Sequence, residues 1–213
     1  MSTKRSYHDG CAMAHALNLI GERWALLVVR ELLLGPRRFT DLRGAMPGIS
    51  ANVLTQRLTE LERFGVLARR KLDPPANAWV YELTTWGQDL EPAILSLGRW
   101  ASGSPSFPVG AQMGPDSLVL ALKTAFQPEK ADGLEASYEL WLGEIPFNLA
   151  VKGGSFEAAR GEAEAPDAKV RSDPNTIASV VFGGNRLGKA EEAGAVEIDG
   201  SRQAVRALFK ALT

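Results

Sequence analysis

Apolar positions are dense over residues 12–20 and 24–34, and Gly35-Pro36 stops the second run, so both stretches read as helices. A short helical segment at 39–46 ends at Pro47-Gly48. Ser50 then stands where a helix N-cap is expected, its hydroxyl able to accept a backbone N–H of the next turn. Residues 51–64 carry Leu54, Leu58 and Leu61 at i, i+4 and i+7, a single buried stripe, and Gly65 is a natural stop. The rhythm then changes. Residues 66–72 read as a strand, Asp73-Pro74-Pro75-Ala76-Asn77 as a turn and residues 79–84 as the returning strand. A last helix is expected over 85–101.

A Gly- and Pro-bearing stretch follows, with Gly103, Pro105, Pro108, Gly110 and Gly114, residues that interrupt helices. It divides the chain into an expected domain at 1–105 and another at 111–213. In the second part, residues 114–126 repeat Leu118, Leu122 and Phe126 every four positions and predict a helix. Strands are expected at 134–142, 145–152 and 155–161, with turns at Gly143-Glu144 and Gly153-Gly154. Another strand is expected at 168–172. Asp173-Pro174 supplies an N-cap and a first-turn proline for a helix through Phe182. A helical turn at 187–192, a strand at 194–198 and a helix at 201–212 complete an α+β pattern.

The order of the first part, three helices, a capped helix, a basic hairpin and a helix, is that of a winged helix-turn-helix. Stepping 100° per residue from Leu58 puts Asn52, Gln56, Thr59 and Arg63 on the opposite face, with Thr55 at its edge. Asn and Gln can pair bidentately with adenine and Arg with guanine. Ser50 at the helix start, and Arg69, Arg70 and Lys71 near the hairpin tip, suit phosphate or minor-groove contact. The plain alternative is a solvated helix face and an ordinary hairpin.

Charge supports a division of labour. The whole chain is nearly neutral at −1, but residues 1–105 hold 13 basic against 10 acidic side chains, and residues 106–213 hold 11 against 15. A basic half can face a polyanion that an acidic half would repel. The hydrophobic fraction of 45% fits a chain that buries a real core. The longest apolar run, residues 24–29, is far short of the roughly 18–20 needed for a membrane span. The N-terminus lacks the apolar core of a secretory signal. With Cys11 the only cysteine, no intrachain disulfide is expected, which suits a cytoplasmic location.

The first part resembles the HxlR-type transcription regulators, relatives of the MarR group. The resemblance runs through Cys11, IGERWALLV at 20–28, RFTDL at 38–42, PGIS at 47–50, LTQRL at 54–58, LE at 61–62, GVL at 65–67, VYELT at 80–84 and Gly87. It departs at Asn52, where the family often has Lys, and at Ala78-Trp79, where a basic wing residue is common. The resemblance implies a DNA-binding homodimer joined through helices flanking the reader, here around 12–20 and 92–101. It also implies that Cys11 sits where some members sense oxidants or electrophiles. The alternative for Cys11 is a small buried residue.

The second part resembles, over about 100 residues, the sterol-carrier-protein-like domain. The resemblance rests on DPNTI at 173–177, the glycine-bearing segment before Glu191, GAVEIDG at 194–200 and AVRALF at 204–209. Such domains enclose an apolar tunnel, which Trp141, Phe147, Phe156 and Phe182 could line; the alternative is that they simply fill the core.

Other signals weigh little. Gly-Gly-Asn-Arg-Leu-Gly-Lys-Ala at 183–190 is one hydroxyl short of a phosphate-binding loop and follows a helix signature rather than a strand. His8, Cys11 and His15 make a weak metal set. The two histidines cannot readily supply a hydrolytic triad, so no enzyme, cofactor or metal is expected. The function expected is a ligand-responsive transcription regulator, a repressor rather than an activator, dimeric on double-stranded DNA and sensing a small apolar molecule. The alternative is a lipid carrier whose winged helix makes protein contacts.

Overall fold

The structure is a computed structural model describing residues 6–108 and 110–213. Residues 1–5 of the N-terminal stretch and Val109 of the Gly/Pro stretch, both used in the sequence reading, lie outside the described residues. Two compact units divide between Ile94 and Leu95.

The first unit follows the expected order: α1 (Ala12–Ile20), α2 (Ala25–Leu32), α3 (Phe39–Ala45), α4 (Ala51–Arg63), β1 (Leu67–Lys71), β2 (Trp79–Leu83) and α5 (Thr85–Gln88). Its core gathers Val28, Val29 and Leu32 of α2, Leu42 of α3, Leu54, Leu58 and Leu61 of α4, and Val66, Leu67 and Val80 of the wing. Burying each such side chain contributes about 1.5–3 kcal/mol before conformational entropy is counted. The turn between α3 and α4 passes through Gly48 at φ 91°, a conformation that favours glycine. The Ser50 hydroxyl then accepts the Val53 N–H at 3.3 Å, fixing where α4 begins. β1 and β2 pair antiparallel with Arg69 opposite Tyr81. Arg37 adds a short third edge, its N–H donating to Tyr81 O at 3.0 Å and its carbonyl accepting at 2.8 Å.

The helix expected over 85–101 is two helices, α5 and α6 (Glu91–Ser102), broken at Asp89 and Leu90. Two residues explain the break. Pro92 belongs in a first turn, because it lacks an N–H and its ring clashes with the preceding turn. Gly87 packs so closely on β1 that a Cβ would lie 1.9 Å from Val66 O.

The second unit contains α7 (Pro115–Ala125), β3 (Ala136–Leu142), β4 (Ile145–Lys152), β5 (Ser155–Arg160), β6 (Ala168–Ser172), α8 (Pro174–Val181), α9 (Leu187–Glu192), β7 (Val196–Gly200) and α10 (Arg202–Leu212). The sheet order is β5-β4-β3-β6-β7, with β3 and β6 parallel and the other pairs antiparallel. Tyr138, Leu140, Leu142, Phe147, Leu149, Val151 and Phe156 point to the buried face, with α7 against β5 and α10 against β6. The opposite face is polar. Glu139, Lys169 and Asp199 form one cross-strand row, and Trp141, Arg171 and Glu197 the next. This is the alternation of a sheet with one apolar and one polar face, although Glu139 on the polar face is itself buried.

The last strand begins at Val196 rather than 194. Gly194, at φ 69° and donating to Glu191 O, closes α9 with a left-handed residue, so extension starts only after it. No helix among the described residues is long and apolar enough to cross a membrane.

Candidate nucleic-acid interface

Helix α4 buries Leu54, Leu58 and Leu61 and exposes Asn52, Thr55, Gln56, Thr59 and Arg63. The expected polar face is therefore the outward face. The hydroxyl of Thr55 donates back to Ala51 O at 2.9 Å, so its proton is engaged within the helix. Gln56 Nε2 donates to Glu60 Oε1 at 3.1 Å. Arg63 lies over the Phe64 ring at 4.8 Å, which steadies its long side chain. Ser50 is engaged as the N-cap of α4, a contribution of about 1 kcal/mol.

Sequence periodicity missed Arg57. It shares the buried stripe, 6% exposed, with Nη1 2.8 Å from Glu60 and 3.6 Å from Glu22. Only the structure shows that an arginine in the apolar stripe is matched by carboxylates at its edge.

In the wing the three basic residues differ. Arg69 sits over Trp79 at 4.5 Å and faces Tyr81 at 5.9 Å. Trp79, half exposed, thus braces a cation. Arg70 is bound to Glu82, Nε to Oε2 2.7 Å. Lys71 is exposed at the end of β1. Two further exposed arginines carry no signal in the helical periodicity: Arg38 at the N-cap of α3 and Arg43 on it.

Cys11 is exposed at the N-cap of α1, so the reading of a small buried residue does not hold. Backbone N–H groups at the helix start, Ala14 first and then Met13, hold its thiol below the ordinary 9.0, against a small opposing effect of burial. Helix α1 buries no residue and exposes Met13 and Leu17. Helix α6 also buries none and leaves Trp100 78% exposed.

The four aromatics of the second unit do not come together. Phe147 is fully enclosed in the core. Phe156 is buried and stacks on Phe126 at 5.4 Å. Trp141 lies on the opposite face of the sheet, its Nε1–H donating to Glu139 at 2.9 Å and Arg171 over its ring at 4.5 Å. Phe182 is 49% exposed after α8. None of them lines either of two clefts of this unit, one between α8 and α9 and one beside β6 and β7. Among the described residues no group of three or more His, Cys, Asp or Glu is placed to hold a metal ion.

A family model, the HxlR-like helix-turn-helix, matches residues 19–106. YvaP of Bacillus subtilis, an uncharacterized HTH-type transcriptional regulator, is 36% identical over 94 residues, which are 43% of this chain and 87% of that protein. The HTH-type transcriptional regulator YodB of Bacillus subtilis is 34% identical over 89 residues, 42% of this chain and 80% of YodB. Among solved structures, quinone-bound YodB from B. subtilis is 32% identical and covers 43% of this chain and 97% of its own, with a TM-score of 0.38. The oxidized form of the redox regulator HypR is 29% identical and covers 45% of this chain and 99% of its own, with a TM-score of 0.42. A winged helix whose α4 and wing carry this motif series, and whose relatives match over most of their length, places the chain in the HxlR-like helix-turn-helix family.

Proposed function

We propose that this chain is a transcription regulator that binds a double-stranded DNA operator through α4 and the wing. The observation that carries the reading is the outward face of α4. Asn52, Gln56, Thr59 and Arg63 are exposed together on a helix whose other side is locked into the core. Rigid presentation of donors and acceptors is what base reading in the major groove requires. Ser50, Thr55, Arg69, Arg70 and Lys71 contribute positioning contacts to phosphates, and Arg38 and Arg43 join them from α3.

The regulator acts as a homodimer, because one recognition helix reads too few base pairs for useful specificity. The uncovered sides of α1 and α6 are the surfaces a second copy would cover. A dimer seated on a promoter excludes other proteins from it, so repression is the sign assigned, in the cytoplasm, where the DNA is held. Residues 1–105 are the reader, and residues 111–213, sterol-carrier-like in sequence, are the module that takes a small ligand. An apolar ligand held by Trp141, Phe147, Phe156 and Phe182 would need a cavity that these four do not form in this structure. Cys11, exposed and acidified, is the residue through which an oxidant or quinone-like electrophile would act; structures of YodB and HypR are described as quinone-bound and oxidized, respectively.

The test is a gel shift of the full chain on fragments from around its own gene. A saturable shift that survives excess unrelated DNA supports the reading, and a shift that competitor abolishes at every fragment overturns it.

A further inference from the structure

We propose that the cleft between α8 and α9 binds a small molecule through a phosphate group. The proposal rests on reading the second unit as the ligand-taking module, and it concerns binding alone.

The cleft is open to solvent, has a volume of about 450 Å³ and is lined by Asn175, Thr176, Ser179, Arg186 and Lys189, with Asn185 and the small apolar side chains of Val180, Ala190 and Ala195. That volume lies within the range of small-molecule sites. No carboxylate is among the lining residues. Arg186 is the N-cap of α9 and Lys189 lies three residues on, within the helix; both line the cleft. Among the described residues neither takes part in a salt bridge or side-chain hydrogen bond, although Glu191 on the same helix is paired with Arg202 at 2.6 Å. Arg186 and Lys189 are both exposed at the cleft, so an anion entering it meets two cations with no salt-bridge partner of their own among the described residues.

The cleft is also preorganised. After α8 the chain turns through Gly184 at φ 73°. The Gly183 and Asn185 N–H groups both donate to Ser179 O, at 3.0 and 3.2 Å. The Asn185 side-chain amide donates to Ser179 Oγ. That hydroxyl accepts from Asn185, so its own proton is free to point into the cleft. Thr176 spends its proton on Asp173 Oδ2 at 2.5 Å, so the cleft holds one free hydroxyl donor beside the two cations and the Asn175 amide. An arginine fork, an ammonium and neutral donors on a fixed turn suit a tetrahedral oxyanion. The apolar lining leaves room for the organic body of a phosphate ester.

The near-match to a phosphate-binding loop at 183–190 has a different meaning here. Helix α8, not a strand, precedes it, and Ala190 supplies no hydroxyl for Mg²⁺. The recognition is therefore by side-chain cations and not by a nucleotide-cradling loop.

The experiment is isothermal titration of the full chain at constant ionic strength with inorganic phosphate, glycerol 3-phosphate and acetate. We expect saturable binding of at least one phosphate probe, and which of the two is tighter separates free phosphate from an ester as the source. Arg186→Ala and Lys189→Ala should each weaken it about tenfold, the scale of one charge-assisted hydrogen bond. Lys210→Ala, an exposed lysine outside the cleft, should leave it unchanged. Thermal melts confirm that these surface variants fold. Absence of saturable phosphate binding, acetate binding as tightly as phosphate, or undiminished binding by both Arg186→Ala and Lys189→Ala would each overturn the proposal. None of these results alters DNA binding by the first unit, which the gel shift reads separately.

Discussion

Glu60 ties together the two sides of α4: its Oε1 accepts from Gln56 at 3.1 Å and its Oε2 lies 2.8 Å from Arg57. The first partner is on the outward face and the second in the buried stripe. Under the proposed DNA reading, Gln56 has to let go of Glu60 to meet a base, while Glu60 keeps its hold on Arg57. Glu60→Ala should therefore cost stability, about 1–3 kcal/mol, because Arg57 keeps only the longer contact to Glu22. Urea unfolding measures it, and a variant as stable as wild type would show that Arg57 finds water instead.

Arg70 and Glu82 form an exposed pair across the wing, 2.7 Å apart. Such pairs contribute little to stability, but under the proposed DNA reading this one neutralises a cation that would otherwise meet a phosphate. Glu82→Gln should leave the melting temperature nearly unchanged and strengthen binding to all DNA sequences alike. The slope of log K against log salt should steepen by about 1, one further phosphate contact. A titration across salt concentrations checks this, and an unchanged slope would mean that Arg70 does not reach the backbone.

Glu139, 1% exposed, is held ionised on the outer side of the sheet. The indole N–H of Trp141, Lys169 at 2.9 Å and the Ala163 N–H lower its pKa from 4.5 to about 2, against the opposing effect of burial. A carboxylate depressed in the folded state stabilises above its unfolded pKa and loses that contribution on protonation. The stability difference between wild type and Glu139→Gln should thus be full above pH 4.5 and shrink as the pH falls toward 2. Melts of both proteins over that window test the sign; a difference that grows on acidification contradicts it.

The exposed, acidified thiol of Cys11 should react with iodoacetamide faster in the folded chain than in the same chain unfolded in urea at equal pH. Equal rates would remove the helix-start effect. In operator binding, Cys11→Ser should abolish release by a quinone; retained release would remove the sensor role.

The winged helix was legible in the sequence because each of its signals is local. Ser50 caps α4, Gly65 ends it and the Leu54, Leu58, Leu61 stripe sets its face, so the outward residues followed by rotation alone. What was not legible depends on contacts distant in sequence. Arg57 has a local partner in Glu60, but its second carboxylate, Glu22, is 35 positions away. Pro92 marks the start of α6 locally, whereas the close approach of Gly87 to Val66 is not local. In the second unit, alternation alone could not say that Trp141 and Phe147 lie on opposite faces. Register decides it, because Phe147 pairs with Leu140, the neighbour of Trp141. The cleft of Arg186 and Lys189 was hidden behind a motif whose literal reading as a nucleotide loop fails.

The most direct test of DNA reading by α4 compares Gln56→Ala with Lys71→Ala on the operator and on a set of single-base variants at several salt concentrations. The account predicts that Gln56→Ala loses about 1–3 kcal/mol on the operator and discriminates less at one base position, with its salt slope unchanged. Lys71→Ala should weaken all sequences alike and flatten the slope by about 1. Wild-type affinity and base preference in Gln56→Ala would contradict the claim that this face of α4 reads DNA.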